Sequence, residues 1–250
     1  GDQGLGIYFD QSSNSNTFSN GNIQVIPIEH ATLVLKWGGK IIYVDPVGGA
    51  KAFVGQPEPD LILLTDIHPD HLDIPTLQAV SKAKTVLIAP LTVADKIPNT
   101  IAGDLLVIKN GQKTNQKTSQ KVNLNGFSIE AIPMYNLPEK KDSFHTKGRG
   151  NGYVLEEGGK RIYISGDTSD IPEMRALKNI DIAFVCMNLP YTMSVEEAAK
   201  GVLAFKPKQV FPYHYRQSPT KDFADVNKFK ELVNKGNPSI DVVLLNWYPK

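Results

Sequence analysis

Thr65-Asp66-Ile67-His68-Pro69-Asp70-His71, the stretch TDIHPDH, decides how this chain is read. It closes the apolar, strand-like run Asp60 to Thr65 and interleaves Asp66 and Asp70 with His68 and His71. Four ligand-type side chains in six positions cannot all be satisfied on a strand surface. A tight turn into a helix capped by Asp73, with Pro75 in its first turn, gathers them around one or two cations. Imidazole nitrogen and carboxylate oxygen suit zinc, iron or manganese. The competing reading is a helix N-terminus decorated with capping aspartates and surface histidines. Ligand-type residues at later strand ends weigh against it.

Outward from this stretch, short runs of strand composition recur on both sides. Before and after it come Ile23 to Ile28, Thr32 to Trp37, Lys40 to Val44, Val86 to Ala89 and Leu105 to Ile108. A second series comprises Phe127 to Met134, Gly152 to Leu155, Arg161 to Ser165, Ile182 to Met187, Gln209 to Tyr213 and Val242 to Leu245. Gly38-Gly39, Asn125-Gly126 and Gly158-Gly159 sit between runs, which is hairpin chemistry, so the sheets are antiparallel or mixed. Ser194 and Glu197 form a capping box ahead of a helical pattern that lasts until Pro207. Further helices are expected over Asp222 to Val233 and Ile171 to Leu177. Strand-rich blocks with interspersed helices predict two sheets with helices outside them, an αββα four-layer sandwich of the α/β class. A polar segment, residues 1–22, precedes one domain over residues 23–250, with no linker dividing it.

The chain has five histidines, and each falls after or between strand-like runs, where loops assemble sites. Asp167 stands in ISGDT, where Ser165 and Gly166 let the backbone turn and present a carboxylate able to bridge two cations. His214 ends the run in VFPYHY. Taken singly, each is more ordinarily a turn residue or a satisfied core histidine; together with TDIHPDH they complete a ligand set.

HxDH after a strand, then a distant histidine, then GDT, then a terminal histidine resembles the metallo-β-lactamase superfamily from His30 onward. His30-Ala31-Thr32, Val44-Asp45-Pro46 and the PYHY ending resemble its zinc-dependent hydrolase branch, related to the ascorbate-6-phosphate lactonase-like proteins. The resemblance implies the αββα fold with a site at one edge, though such scaffolds host many chemistries. It implies that His68 and the distant histidine hold one metal, that Asp70, His71 and His214 hold the other, and that Asp167 bridges both. The family motif is HxHxDH, and Asp66 stands here in place of its leading histidine. As a ligand Asp66 favours manganese or iron over zinc more than a histidine would; as an orienting residue it leaves one site weak. The distant histidine is His145, with Asn136 the nearer alternative. The insertion from Leu137 to Gly150 carries Lys140, Lys141, Lys147 and Arg149 and reads as a lid, an anion-binding loop or a solvated charged loop. His30, Asn136 and Tyr191 are candidates for contact with a substrate.

The chemistry expected is hydrolysis of a lactone, ester or phosphoester of a small molecule by metal-activated hydroxide. Zinc is the first expectation, manganese or iron the alternatives, and Asp70 orients the attacking group and relays its proton. A phosphodiesterase on a nucleotide or lipid head group is the nearest enzymatic rival. A non-catalytic metal-binding or ligand-sensing protein is the rival from another class. Cys186, the lone cysteine, sits in an apolar strand and reads as an inert core residue.

At 250 residues and 41% hydrophobic, the chain is long enough to bury a core, and a net charge of +1 without basic runs indicates no nucleic-acid partner. No apolar stretch approaches the roughly 18 residues that span a bilayer. Gly1 in place of Met and the Ser/Asn-rich stretch Gln11 to Asn22 give two expectations, a periplasmic protein that has lost its leader or a cytoplasmic one. The oligomeric state is not legible.

Overall fold

The computed structural model describes residues 16–114 and 124–249, so most of the polar N-terminal stretch lies outside the described residues. Contacts divide the chain into two compact units, one running to Ile108 and resuming at Leu245, the other holding Lys109 onward and Phe127–Leu244. Each unit is built on one sheet whose strands lie in sequence order.

In the first unit β1 (Phe18–Asn20), β2 (Ile23–Glu29), β3 (Thr32–Trp37) and β4 (Lys40–Val44) pair antiparallel, and β5 (Leu61–Leu63), β6 (Val86–Ala89) and β7 (Asp104–Val107) continue in parallel. The pattern of burial follows this switch. In β2, buried Ile23, Val25 and Pro27 alternate with more exposed neighbours, whereas β5 and β6 are buried throughout, as parallel strands covered on both faces must be. Gly38 and Gly39 take φ of +59° and +79° and close the β3–β4 hairpin. Helix α1 (Ile74–Val80) begins at Asp73, whose side chain accepts from Thr76 N–H, and has Pro75 in its first turn. Its Leu77 and Val80 join Val34, Tyr43, Ile62 and Leu64 in one core cluster. A 3-10 turn (Ala50–Phe53) and the short α2 (Leu91–Ala94), neither evident in the sequence pattern, add Phe53 and Val93 to that cluster.

The second unit repeats the plan. β8 (Ser128–Met134), β9 (Gly150–Glu157) and β10 (Lys160–Ile164) are antiparallel, and β11 (Ile182–Cys186), β12 (Gln209–Tyr213) and β13 (Asp241–Val242) follow in parallel. The short α3 (Pro172–Arg175) precedes α4 (Val195–Phe205), whose capping box is complete: Ser194 Oγ accepts from Glu197 N–H and Glu197 returns a carboxylate to Ser194 N–H. Helix α5 spans Val226–Gly236 rather than starting at Asp222. Ala224 N–H bonds Tyr215 C=O at 2.8 Å and Phe223 bridges Arg216, which holds this stretch extended until Asp225 caps the helix. β13 is likewise shorter than the apolar run Val242 to Leu245.

Asn125 and Gly126 form a positive-φ turn ahead of β8. Among the described residues no helix is long and apolar enough to cross a membrane. In both units the loops that matter leave the carboxyl ends of strands, where parallel sheets place ligands.

Candidate metal centre

In the first unit, β4 ends at Val44 and β5 at Leu63, and their register sets Asp45 beside Thr65. Asp45, at φ +42°, is fully buried; its Oδ1 accepts from Thr65 N–H at 2.8 Å and its Oδ2 from Thr65 Oγ1–H at 2.5 Å. The third donor is His71, whose Nδ1 lies 2.7 Å from Oδ2. Burial pushes the Asp45 carboxyl above its ordinary range, and the His71 ring and the Thr65 donors oppose that rise. A carboxylate that accepts all three fixes the His71 tautomer: Nδ1 carries the proton, and Nε2 presents its lone pair.

The segment between them makes the tight turn the sequence predicts. His71 and Leu72 N–H both bond His68 C=O at 2.9 Å, and Asp73 then opens α1. Asp66, fully buried, sets Oδ2 3.3 Å from His68 Nδ1. Asp70 sets Oδ1 3.6 Å from His71 Nε2 and Oδ2 3.5 Å from His30 Nε2, and its side chain is 40% exposed where that of His71 is fully buried. His30, at φ +59°, is oriented from its other side, with Nδ1 2.5 Å from Tyr248 Oη and its N–H bonded to Trp247 C=O. Non-glycine residues at positive φ carry a backbone cost and gather at functional sites; His30, Asp45 and, in the second unit, His214 at +53° all show it.

In the second unit, Gly166 at φ +61° makes the turn after β10 that presents Asp167. Asp167 stands between two imidazoles, Oδ2 3.1 Å from His145 Nε2 and Oδ1 3.3 Å from His214 Nε2, and all three side chains are buried. His145 and Asn136 divide the work that the sequence left open between them. Asn136 Nδ2–H donates to Tyr191 C=O at 2.9 Å, and Asn136 Oδ1 accepts from His145 N–H at 2.7 Å, so the amide has one orientation. Oδ1 lies 3.1 Å from His145 Nδ1, which therefore donates, leaving the lone pair on Nε2. Two acceptors, His145 Nε2 and Asp167 Oδ2, then face each other at 3.1 Å, an arrangement that needs a proton or a cation between them. A divalent ion fits that donor set, and the residues of both units suit it by type.

Asn136 thus orients His145, and Tyr191 supplies a backbone oxygen while its ring packs edge-on against Phe144 at 4.8 Å. Cys186 is buried with Sγ 3.5 Å from Thr168 N, and burial, with Asp167 nearby, pushes its thiol up to about 11, so it is no nucleophile at neutral pH. The residues to which the sequence gave no role are Asp45, Thr65 and Tyr248. Asp45 carried a signal, since it closes a strand in VDP, but its partner lies 26 positions away.

Known proteins resemble this chain in sequence and in fold. The model of the beta-lactamase superfamily domain matches residues 24–214, a span that begins in β2 and ends on His214. A metal-dependent hydrolase of Pyrococcus abyssi is 31% identical over 221 residues, 84% of this chain and 92% of the relative. A solved structure from Parabacteroides distasonis, proposed to be a metal-dependent hydrolase, is 35% identical with a TM-score of 0.77, covering 93% of this chain and 98% of that one. A metallo-β-lactamase fold protein of Bacillus subtilis, at 12% identity and a TM-score of 0.65, covers 87% of this chain and 89% of its own and shares the fold. The αββα class expected from the strand pattern is the class of these neighbours.

Proposed function

This chain belongs to the beta-lactamase superfamily domain family and is a metal-dependent hydrolase, and on that premise we propose that it cleaves a lactone, ester or phosphoester bond of a small molecule. By the resemblance in ligand order, His68 and His145 would hold one divalent cation and Asp70, His71 and His214 a second, with Asp167 shared. Asp66 either completes the first set or steers His68, from which it stands 3.3 Å. Zinc, manganese and iron all suit the set, and the buried carboxylate in place of a histidine shifts the balance towards the harder ions. Bound there, a divalent cation lowers the pKa of its water towards neutrality and polarises the scissile bond.

The residues have separable tasks. Asp45 and Asn136 hold the His71 and His145 rings with Nε2 turned to the ligand side. Asp167 commits one oxygen to each of two imidazoles and so sets their spacing. Asp70, the partly exposed carboxylate of the group, takes the proton of the attacking water, and His30 braces its Oδ2. The single observation that carries this reading is the buried carboxylate between two imidazoles, Asp167 lying 3.1 Å from His145 Nε2 and 3.3 Å from His214 Nε2.

A screen of chromogenic ester, lactone and phosphodiester substrates with added Zn, Mn or Fe tests it. Turnover is expected that falls by more than about 10²-fold in His71→Ala, beyond the loss typical of an orienting residue. Full activity in that variant contradicts the reading.

A further inference from the structure

The segment from Leu137 to Gly150 is a built loop. Asn136 N–H donates to His145 C=O at 2.9 Å while His145 N–H returns to the Asn136 side chain, which closes the loop at its root. The Arg149 guanidinium donates to Phe144 C=O at 2.7 Å. Lys147 is fixed from outside the loop, its Nζ 3.3 Å from Glu173 Oε2 and 4.9 Å from the centre of the Tyr135 ring, and Tyr135 Oη donates to Glu173 Oε1.

The loop lines an open cleft of about 470 Å³, a volume in the range of small-molecule sites. Its wall carries Lys140, Lys141 and Lys147, the hydroxyls of Ser143 and Thr146, and His145, against one carboxylate, Glu139. The charge of Lys147 is matched by Glu173, so Lys140 and Lys141 against Glu139 leave one positive charge in excess, and both lysines are exposed. Ammonium groups and hydroxyls lining one cleft together with a ligand-type histidine form a donor set for a compact anion.

We propose that this cleft is the subsite for an anionic substituent, a carboxylate or a phosphate, on the molecule whose bond is cleaved. The inference rests on the hydrolase reading, because it uses His145 as the boundary between the subsite and the reacting bond. Lys140 and Lys141 supply attraction, and Ser143 and Thr146 supply directional hydrogen bonds. Salt weakens the preference, since exposed charges are screened within about 10 Å at 0.1 M ionic strength.

The test compares mono-p-nitrophenyl succinate, which carries a carboxylate, with neutral p-nitrophenyl acetate on the metal-loaded protein and on the double variant Lys140→Met/Lys141→Met. The ratio of the two kcat/KM values is expected to fall by about tenfold, the effect of two exposed charge pairs, and to fall in the parent protein as salt rises. A ratio unchanged by the double variant overturns the proposal. A second arm titrates inorganic phosphate calorimetrically into Asp167→Ala, with and without the two lysine changes. It stands apart from turnover, so it decides the subsite even if neither ester is cleaved and the hydrolase reading fails for esters. Phosphate affinity about tenfold weaker without the lysines supports the subsite; equal affinity overturns it.

Discussion

Asp45 and Asp167 lie in corresponding loops of their respective units and act differently there. Each follows the strand at which the sheet changes from antiparallel to parallel pairing, β4 in the first unit and β10 in the second. Asp45 turns away from the ligand set and grips the Nδ1 of His71, whereas Asp167 reaches the Nε2 atoms of two histidines directly. The next loop accounts for the difference. After β5 the first unit supplies Asp66, His68, Asp70 and His71 in one turn, so the switch-point carboxylate serves as support. In the second unit the histidines come from the loops after β8 and β12, and Asp167 is the group that joins them. A topological switch point delivers a carboxylate in both units, and the sequence that follows assigns its task.

Substitutions can break this contrast. The largest effect is expected at Asp167→Ala, which removes the group between two imidazoles: kcat/KM should fall by more than about 10²-fold, with metal affinity falling alongside. Asp45→Asn keeps the shape of the side chain but lets it donate, so the His71 tautomer is no longer set; activity and metal affinity should drop by about 10- to 100-fold. Asn136→Ala tests the same idea in the second unit and should cost a similar factor, read by steady-state kinetics and metal titration. Equal losses at Asp45 and Asp167 would erase the distinction between support and ligand. The smallest effect is expected at Asp66→His, which restores the family motif and should shift selectivity from manganese or iron towards zinc, measured as relative activity with each ion.

The contrast also explains what could be read without coordinates. In the first unit, four ligand-type residues are neighbours in sequence, so a local turn and the Asp73 cap were enough to expect them together. Their support was hidden, because Asp45 meets His71 only through the register that pairs Val44 with Leu63. In the second unit, Asp167 and His214 lie beyond β10 and β12, which are separated in the sheet by β11. No local pattern links them, and the resemblance to a family linked them instead. The choice between His145 and Asn136 was beyond sequence for a chemical reason: both side chains are needed, one as the imidazole and the other as the acceptor that fixes its proton. The start of α5 was misread because Asp222 and Asp225 can both cap a helix, and the bridge from Phe223 to Arg216 decides between them. The capping box at Ser194 and the hairpin glycines Gly38-Gly39 and Gly158-Gly159, whose physics is local, stand where expected.

The central claim is that the histidine and carboxylate sets described for each unit, with His71 in one and Asp167 in the other, bind divalent cations. Calorimetric titration of zinc and manganese into chelator-treated protein, repeated for His71→Ala and Asp167→Ala, tests it most directly. One or two bound ions per chain in the parent protein, with affinity or stoichiometry reduced in each variant, is the predicted result. No binding by the parent, or binding unchanged in either variant, would contradict the account.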